Sequence, residues 1–242
     1  MKLTSIIIAV AVLTCTQTKA QIDLNKAVNE AKKAVGAGSG GQLSNEEIIN
    51  GLKEALNVGS NNASSLASKK DGFFKNPGIK IPFPPEAIKV KNTVEAVGMK
   101  SQVDKFVLTL NRAAEDAAKE AAPIFLEAIK GMSITDGLAL LNGGDNAATN
   151  FLKDKTNSPL HDKFKPIIKN SLSKVEITKY WKPIITKYNT IPMVEKMNPD
   201  LEEYVTKRAL VGLFKLLADE ELKIRKDPAA RVSDILKKVF GR

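Results

Sequence analysis

Apolar residues recur every three or four positions through most of this chain, and that spacing confines it to helices. The longest stripe runs Val103, Phe106, Val107, Leu110, Ala114, Ala117, Ala118, Ala121, Phe125 and Ile129. On a helix these side chains share one face, because 3.6 residues complete a turn. The stripe predicts a long helix from about Ser101 to Lys130, kinked at Pro123. Its alanine-rich middle lets another helix come close. Aromatic residues make up only 5% of the chain. That is too few for an all-β protein, which leans on aromatic and β-branched side chains.

Other segments carry helix punctuation. Ser44 and Glu47 have capping-box spacing, ahead of Ile48, Ile49, Leu52, Leu56 and Leu66. Gly59-Ser60-Asn61-Asn62 is expected to interrupt that helix. Another helix fits 86–97. Ser133 to Asp136 opens a short helix that ends at Asn142-Gly143-Gly144, and Asp145 is expected to cap the next, which carries Ala147, Ala148, Phe151 and Leu152. Further helices fit 158–174, 177–188 and 199–226. Asp227-Pro228 is expected to start the last, with Val232, Ile235, Leu236 and Val239 on its face and Gly241 at its end.

One stretch differs in kind. Asp71 to Gly78 has turn chemistry at both ends and two adjacent aromatics, Phe73 and Phe74. Ile79 to Pro85 alternates apolar with other residues and holds three prolines, which remove amide donors and favour extended backbone. This predicts an extended arm or edge strand laid against the helices, in a position that could cover a groove. The fold class is therefore all-α: a single irregular bundle of about ten helices with an extended Pro-rich arm near residues 71–85.

The N-terminus reads as an address. Lys2, an apolar run from Leu3 to Leu13 and the small-x-small ending Thr18-Lys19-Ala20 have the form of a secretory signal peptide, with cleavage expected before Gln21. Val12-Leu13-Thr14-Cys15 is similar to a bacterial lipoprotein box, although Thr14 stands where Gly or Ala is usual; acylation at Cys15 is the alternative. The expected parts are a signal peptide at 1–20, an N-terminal helix and Gly-rich linker at 21–43, and a helical domain at 44–242. The expected location is the periplasm, or otherwise outside the cytoplasm.

Composition limits the chemistry. One Cys, one His and one Trp exclude a disulfide framework, a Cys/His zinc site and haem held by two His. EF-hand spacing is absent, so no metal is assigned, and no cofactor is expected. The net charge of +10 falls to +8 if residues 1–20, with Lys2 and Lys19, are removed. This surplus suits acidic partners, peripheral membrane association included. The lysines are scattered among glutamates and no base-stacking motif is present, so nucleic acid is not expected.

Several strings appear in order: Asp71-Gly72-Phe73, Asn111-Arg112-Ala113-Ala114-Glu115, Gly143-Gly144-Asp145-Asn146-Ala147-Ala148-Thr149, Tyr204-Val205-Thr206, Ala209 to Phe214, Glu220-Glu221 with Ile224-Arg225, Asp227 to Arg231, and Lys238 to Gly241. Together, over about residues 45–241, the chain resembles the bacterial family known as domain of unknown function 4197. Gly137 departs from it, standing where the family has Ala. The resemblance implies a mostly exported bacterial setting and brings no activity or catalytic residue.

Candidate sites follow from polar residues in apolar lanes. Asn111 and Glu115 lie on the apolar face of the helix at 101–130, and Glu220 lies among apolar neighbours on the helix at 199–226. Arg112, Arg208, Arg225 and Arg231 are possible partners, since a bidentate arginine is the usual remedy for a buried carboxylate. These residues and Tyr204 form either a head-group pocket, a carboxylate pair for acid–base work, or a buried network that sets helix register. Gly143-Gly144-Asp145 could present amides to an anion or be a plain turn. It lacks the Lys-Ser/Thr of a phosphate loop. Tyr180-Trp181-Lys182-Pro183 and Tyr188 suit a membrane interface, a sugar, or the core or rim of a helix pair. His161, near an expected helix start, reads as an exposed cap; no Gly-x-Ser-x-Gly elbow accompanies it.

The reading that results is a non-enzymatic helical binding or scaffolding module for an amphipathic ligand or envelope protein partner. The alternative is a cofactor-free hydrolase or lyase using Glu115 and Glu220 with Arg225.

Overall fold

The computed structural model describes residues 44–193, 195–231 and 234–240. The expected signal peptide, Cys15, the helix at 22–35, the linker at 36–41, Val232 and Gly241 lie outside the described residues. Ten α-helical segments are present among them, eight of eight residues or more, and no strand. The all-α expectation holds, and the arm forms without becoming an edge strand.

Helix α1 (Asn45–Ser68) opens on the expected capping box: Glu47 N–H donates to Ser44 Oγ at 3.2 Å and Ser44 N–H to the Glu47 carboxylate at 2.8 Å. It runs unbroken through Gly59-Ser60-Asn61-Asn62. Glycine and serine weaken a helix by up to about 1 kcal/mol each, but here their small size is used in packing. A Cβ on Gly59 would lie 3.7 Å from Glu220 Cβ, so the helix carrying Glu220 comes close.

Helix α2 (Ile88–Ala96) follows a 3-10 turn at Pro85–Ala87. The long helix expected at 101–130 is two, α3 (Lys100–Ala118) and α4 (Ala121–Lys130), parted at Lys119-Glu120. Pro123 is thus in the first turn of α4, where its missing N–H costs no helical bond. Helix α5 (Ile134–Leu141) has its own capping box, Ser133 with Asp136. A Cβ on Gly137 would come within 2.1 Å of Ile49 Cδ1; the glycine in place of alanine lets α5 lie against α1.

Helix α6 (Ala147–Ser173) joins two segments expected to be separate, with Pro159 and Pro166 inside it. Both prolines are exposed, while Leu152, Thr156, Leu160, Phe164, Ile168 and Leu172 form a buried stripe. Burial of that whole face outweighs the hydrogen bonds the prolines remove. The segment expected at 177–188 is split into α7 (Glu176–Lys179) and α8 (Trp181–Tyr188). Helix α9 (Leu201–Lys226) is capped by Asp200. A 3-10 turn at Pro228–Ala230 precedes α10 (Asp234–Phe240), so the last helix starts later than Asp227. Helix α6 packs along α3 and α9, and α1 packs across α9, α4 and α3.

The arm, residues 69–84, crosses α3 and α9. Phe73 and Ile81 are fully buried, and Ile79 nearly so. Gly212 of α9 makes room for it: a Cβ there would lie 2.7 Å from Phe73 Cε1 and 3.0 Å from Ile79 Cβ. The arm enters through Asp71 at φ 68° and Gly72, where a Cβ would meet the Leu66 carbonyl oxygen at 2.3 Å.

Candidate functional site

Asn111 and Glu115, one helical turn apart on α3, hold the arm. Asn111 Oδ1 accepts from Ile81 N–H, and Asn111 Nδ2 donates to the Ile81 and Val107 carbonyls, all at 2.8 Å. The amide side chain thus pairs with Ile81 as a neighbouring strand would. Glu115 Oε1 accepts from Phe73 N–H at 3.1 Å and Phe74 N–H at 3.2 Å. Arg112 donates to the other Glu115 oxygen at 2.5 Å and to Asp71 at 2.6 Å. Its guanidinium holds the Asp71 carboxyl below the usual carboxylate range, with Lys75 assisting. Phe74 packs its ring under Lys80 Nζ at 4.5 Å. Tyr204 O–H donates to the Pro82 carbonyl at 3.1 Å, and burial pushes the phenol up to about 12. Every polar group here is engaged in fixing the arm. Phe73, Ile79 and Ile81 seat the arm directly on the helices, and the arm lines neither of the two cavities described below, so nothing among the described residues supports a groove beneath it.

Glu220 takes other partners. It accepts from Asn62 Nδ2 at 3.0 Å and pairs with Lys223. Glu115 and Glu220 share no partner, so the paired-glutamate device has no geometry behind it. Arg225 donates to Glu221 at 2.9 Å and to the Leu140 carbonyl at 2.9 Å. Arg231 meets no carboxylate among the described residues; it donates to the Ile224 and Arg225 carbonyls and closes the C-terminus of α9.

Glu221 is the residue that sequence reasoning passed over. Its carboxylate accepts from the amides of Ala148 and Thr149 and from the Thr149 hydroxyl. A signal was present: Glu221 and Arg225 are four apart, the favoured helical pairing distance. The amides after Gly143-Gly144 do meet an anion, and it is the protein's own Glu221. Asp145 does not cap α6, whose N-cap is Asn146; Asp145 pairs with Lys226 at 2.7 Å.

His161 sits in the middle of α6 and is part-buried, so it is no helix cap. It faces Glu203 at 3.1 Å, beside Lys165 at 2.8 Å and Lys207 at 3.2 Å from the same carboxylate. Those cations, Lys165 foremost, hold Glu203 down to about 2. Trp181 is buried against Phe106, with ring centroids 5.5 Å apart, and Phe83 meets both rings. Trp181 therefore belongs to the core, while Tyr180 is exposed.

Two cavities stand out among the described residues. One, between α1, α5, α6 and α9, has about 30 Å³ of space, room for a water molecule or so. The other is an open groove of about 570 Å³ between α4, α5 and α6. Its apolar lining includes Pro123, Ile124, Ala128 and Phe151; Glu127, Asp136 and Lys155 supply its charge. Glu127 is paired with Lys130 and Asp136 with Ser133. Lys155 lies 5.9 Å from the Phe151 ring and is in no ion pair among the described residues. Among the described residues no group of three His, Cys, Asp or Glu side chains could hold a metal.

A family model described as a protein of unknown function (DUF4197) matches residues 42–241. No curated protein and no solved structure matches the chain.

Proposed function

We propose that this chain, which belongs to the DUF4197 family, is an exported helical binding module for an acidic amphiphile rather than an enzyme. The observation that carries the reading is the open groove of about 570 Å³ between α4, α5 and α6. Its size falls within the roughly 300–1,000 Å³ of small-ligand sites, and like them it joins an apolar wall to a few polar groups. An acyl chain would lie along Ile124, Ala128 and Phe151. An acidic head would meet Lys155, while the nearby carboxylates are already occupied. Catalysis through Glu115 and Glu220 lacks support, because each carboxylate is spent on a different structural contact. Export rests on the form of residues 1–20 and remains part of this proposal.

The test is paired native and denaturing mass spectrometry of the protein taken from its own envelope fraction. The expected result is a denatured chain beginning at Gln21 and an extra mass of an acidic amphiphile in the native spectrum alone. Ala128→Phe and Lys155→Glu should each weaken binding of a fluorescent long-chain fatty acid by about tenfold or more. A bare native mass together with unchanged fatty-acid binding in both variants would overturn the reading.

A further inference from the structure

We propose that the outer face of α8, with the turn that follows it, is a contact surface for an anionic lipid bilayer. This goes beyond the groove reading and shares no residue with it.

The face is built by periodicity. Trp181 and Ile185 are buried and anchor α8 to the bundle. Tyr180 and Ile184, one position earlier in each turn, point outward and are 56% and 49% exposed. The helical path continues past α8, since Thr190 N–H bonds the Lys187 carbonyl and Ile191 N–H bonds the Tyr188 carbonyl. Ile191 is 52% exposed, and Met193 beyond it is fully exposed. Four of the ten large apolar side chains exposed among the described residues therefore fall within these fourteen positions. A patch so concentrated marks an interaction surface.

The charge on this patch selects the partner. Lys179, Lys182 and Lys187 are exposed and interleaved with the apolar residues. Many exposed lysines elsewhere sit on carboxylates, as Lys75 does on Asp71, Lys119 on Asp116 and Lys226 on Asp145, whereas those on this face lie among exposed apolar side chains. None of the ion pairs among the described residues includes Lys179, Lys182 or Lys187. Unpaired lysines beside a tyrosine and aliphatic side chains match the two layers of a bilayer surface. The ammonium groups meet lipid phosphates while Tyr180, Ile184, Ile191 and Met193 enter the acyl boundary. With eight residues, α8 is far short of the roughly 20 needed to span, so the contact lies in the plane of the surface.

A site-specific probe tests this whatever N-terminus the chain carries. On a Cys15→Ser background, an environment-sensitive fluorophore is placed at Ile184→Cys, or at Asn61→Cys on α1 as the control. Vesicles of phosphatidylglycerol and phosphatidylethanolamine are compared with vesicles of phosphatidylcholine alone. The expected result is a blue shift and shielding from an aqueous quencher at position 184 with the anionic vesicles, and neither at position 61. Lys179→Glu with Lys182→Glu and Lys187→Glu, folded by circular dichroism, should lower partitioning by about a hundredfold. An unshifted probe at 184 on anionic vesicles would overturn the proposal and leave the face to a protein partner. An equal response at 61, or equal binding to phosphatidylcholine, would overturn it too. The Ala128→Phe groove variant should bind vesicles like the parent, so a failure of the groove reading leaves this result distinct.

Discussion

Glu221 caps a helix to which it does not belong: its carboxylate accepts both the backbone amide and the hydroxyl of Thr149, each at 2.8 Å. The N-terminus of α6 carries orphan amides and a partial positive charge. Asn146, its own N-cap, makes no side-chain cap bond. Glu221 fills that role from α9, and Arg225 ties the same carboxylate to the end of α5 through Leu140.

Replacing Glu221 by Ala should therefore destabilise the fold by about 3 kcal/mol or more, the usual cost of breaking a buried pair. It strands two amides and takes away the carboxylate partner of Arg225. Thr149→Val, which loses only the hydroxyl bond, should cost about 1 kcal/mol. Urea unfolding of the two variants checks the order; equal costs would argue against the cap.

Glu115→Ala should cost about 3 kcal/mol for a related reason, since Phe73 and Phe74 lose their amide acceptor and Arg112 its buried partner. Glu115→Gln keeps an oxygen for the two amides and should cost less. Limited proteolysis should cut the Ala variant within 69–84 before anywhere else in the described residues. An uncut arm would refute the latch.

Gly212→Ala sets helix propensity against packing. Alanine gains about 1 kcal/mol in a helix. The added methyl would lie 2.7 Å from the Phe73 ring, which is fully buried and cannot swing away. Overpacking of this kind costs about 1–3 kcal/mol, so a net loss in melting temperature is expected. Gly144→Ala, with nothing within 4 Å, should leave stability close to the parent.

Acid should loosen the contact between α6 and α9. Glu203 is held down to about 2 from an ordinary 4.5 by Lys165, Lys207 and His161. A carboxyl depressed in the folded state stabilises fully above about pH 4.5, and that contribution fades as the pH falls towards about 2. Its lysine partners are solvent-exposed enough to limit the term to about 1 kcal/mol. Glu203→Gln should flatten this part of the stability profile, measured by unfolding from pH 6 to 2. An unchanged slope would show that other carboxylates carry it.

Much of the site was legible one residue at a time. Asn111, Glu115 and Glu220 stood in apolar lanes, and all three are buried. Their partners were not legible, because Glu115 meets backbone amides 41 and 42 positions away and Asn62 meets Glu220 across 158. Backbone amides leave no mark in a sequence. Arg225 was matched to Glu220 when the four-residue step pointed to Glu221.

The sequence by itself determined the helical class, the capping box at Ser44, the helix start at Ser133, and the non-helical arm. Each depends on residues within a turn or two of one another. Only the tertiary structure decided that α1 passes through Gly59, that α6 passes through Pro159 and Pro166, and that α3 ends at Ala118. It also decided which carboxylate serves which helix end. Local preferences of about 1–3 kcal/mol are small beside the burial of a whole helix face. That burial exists only once distant segments meet.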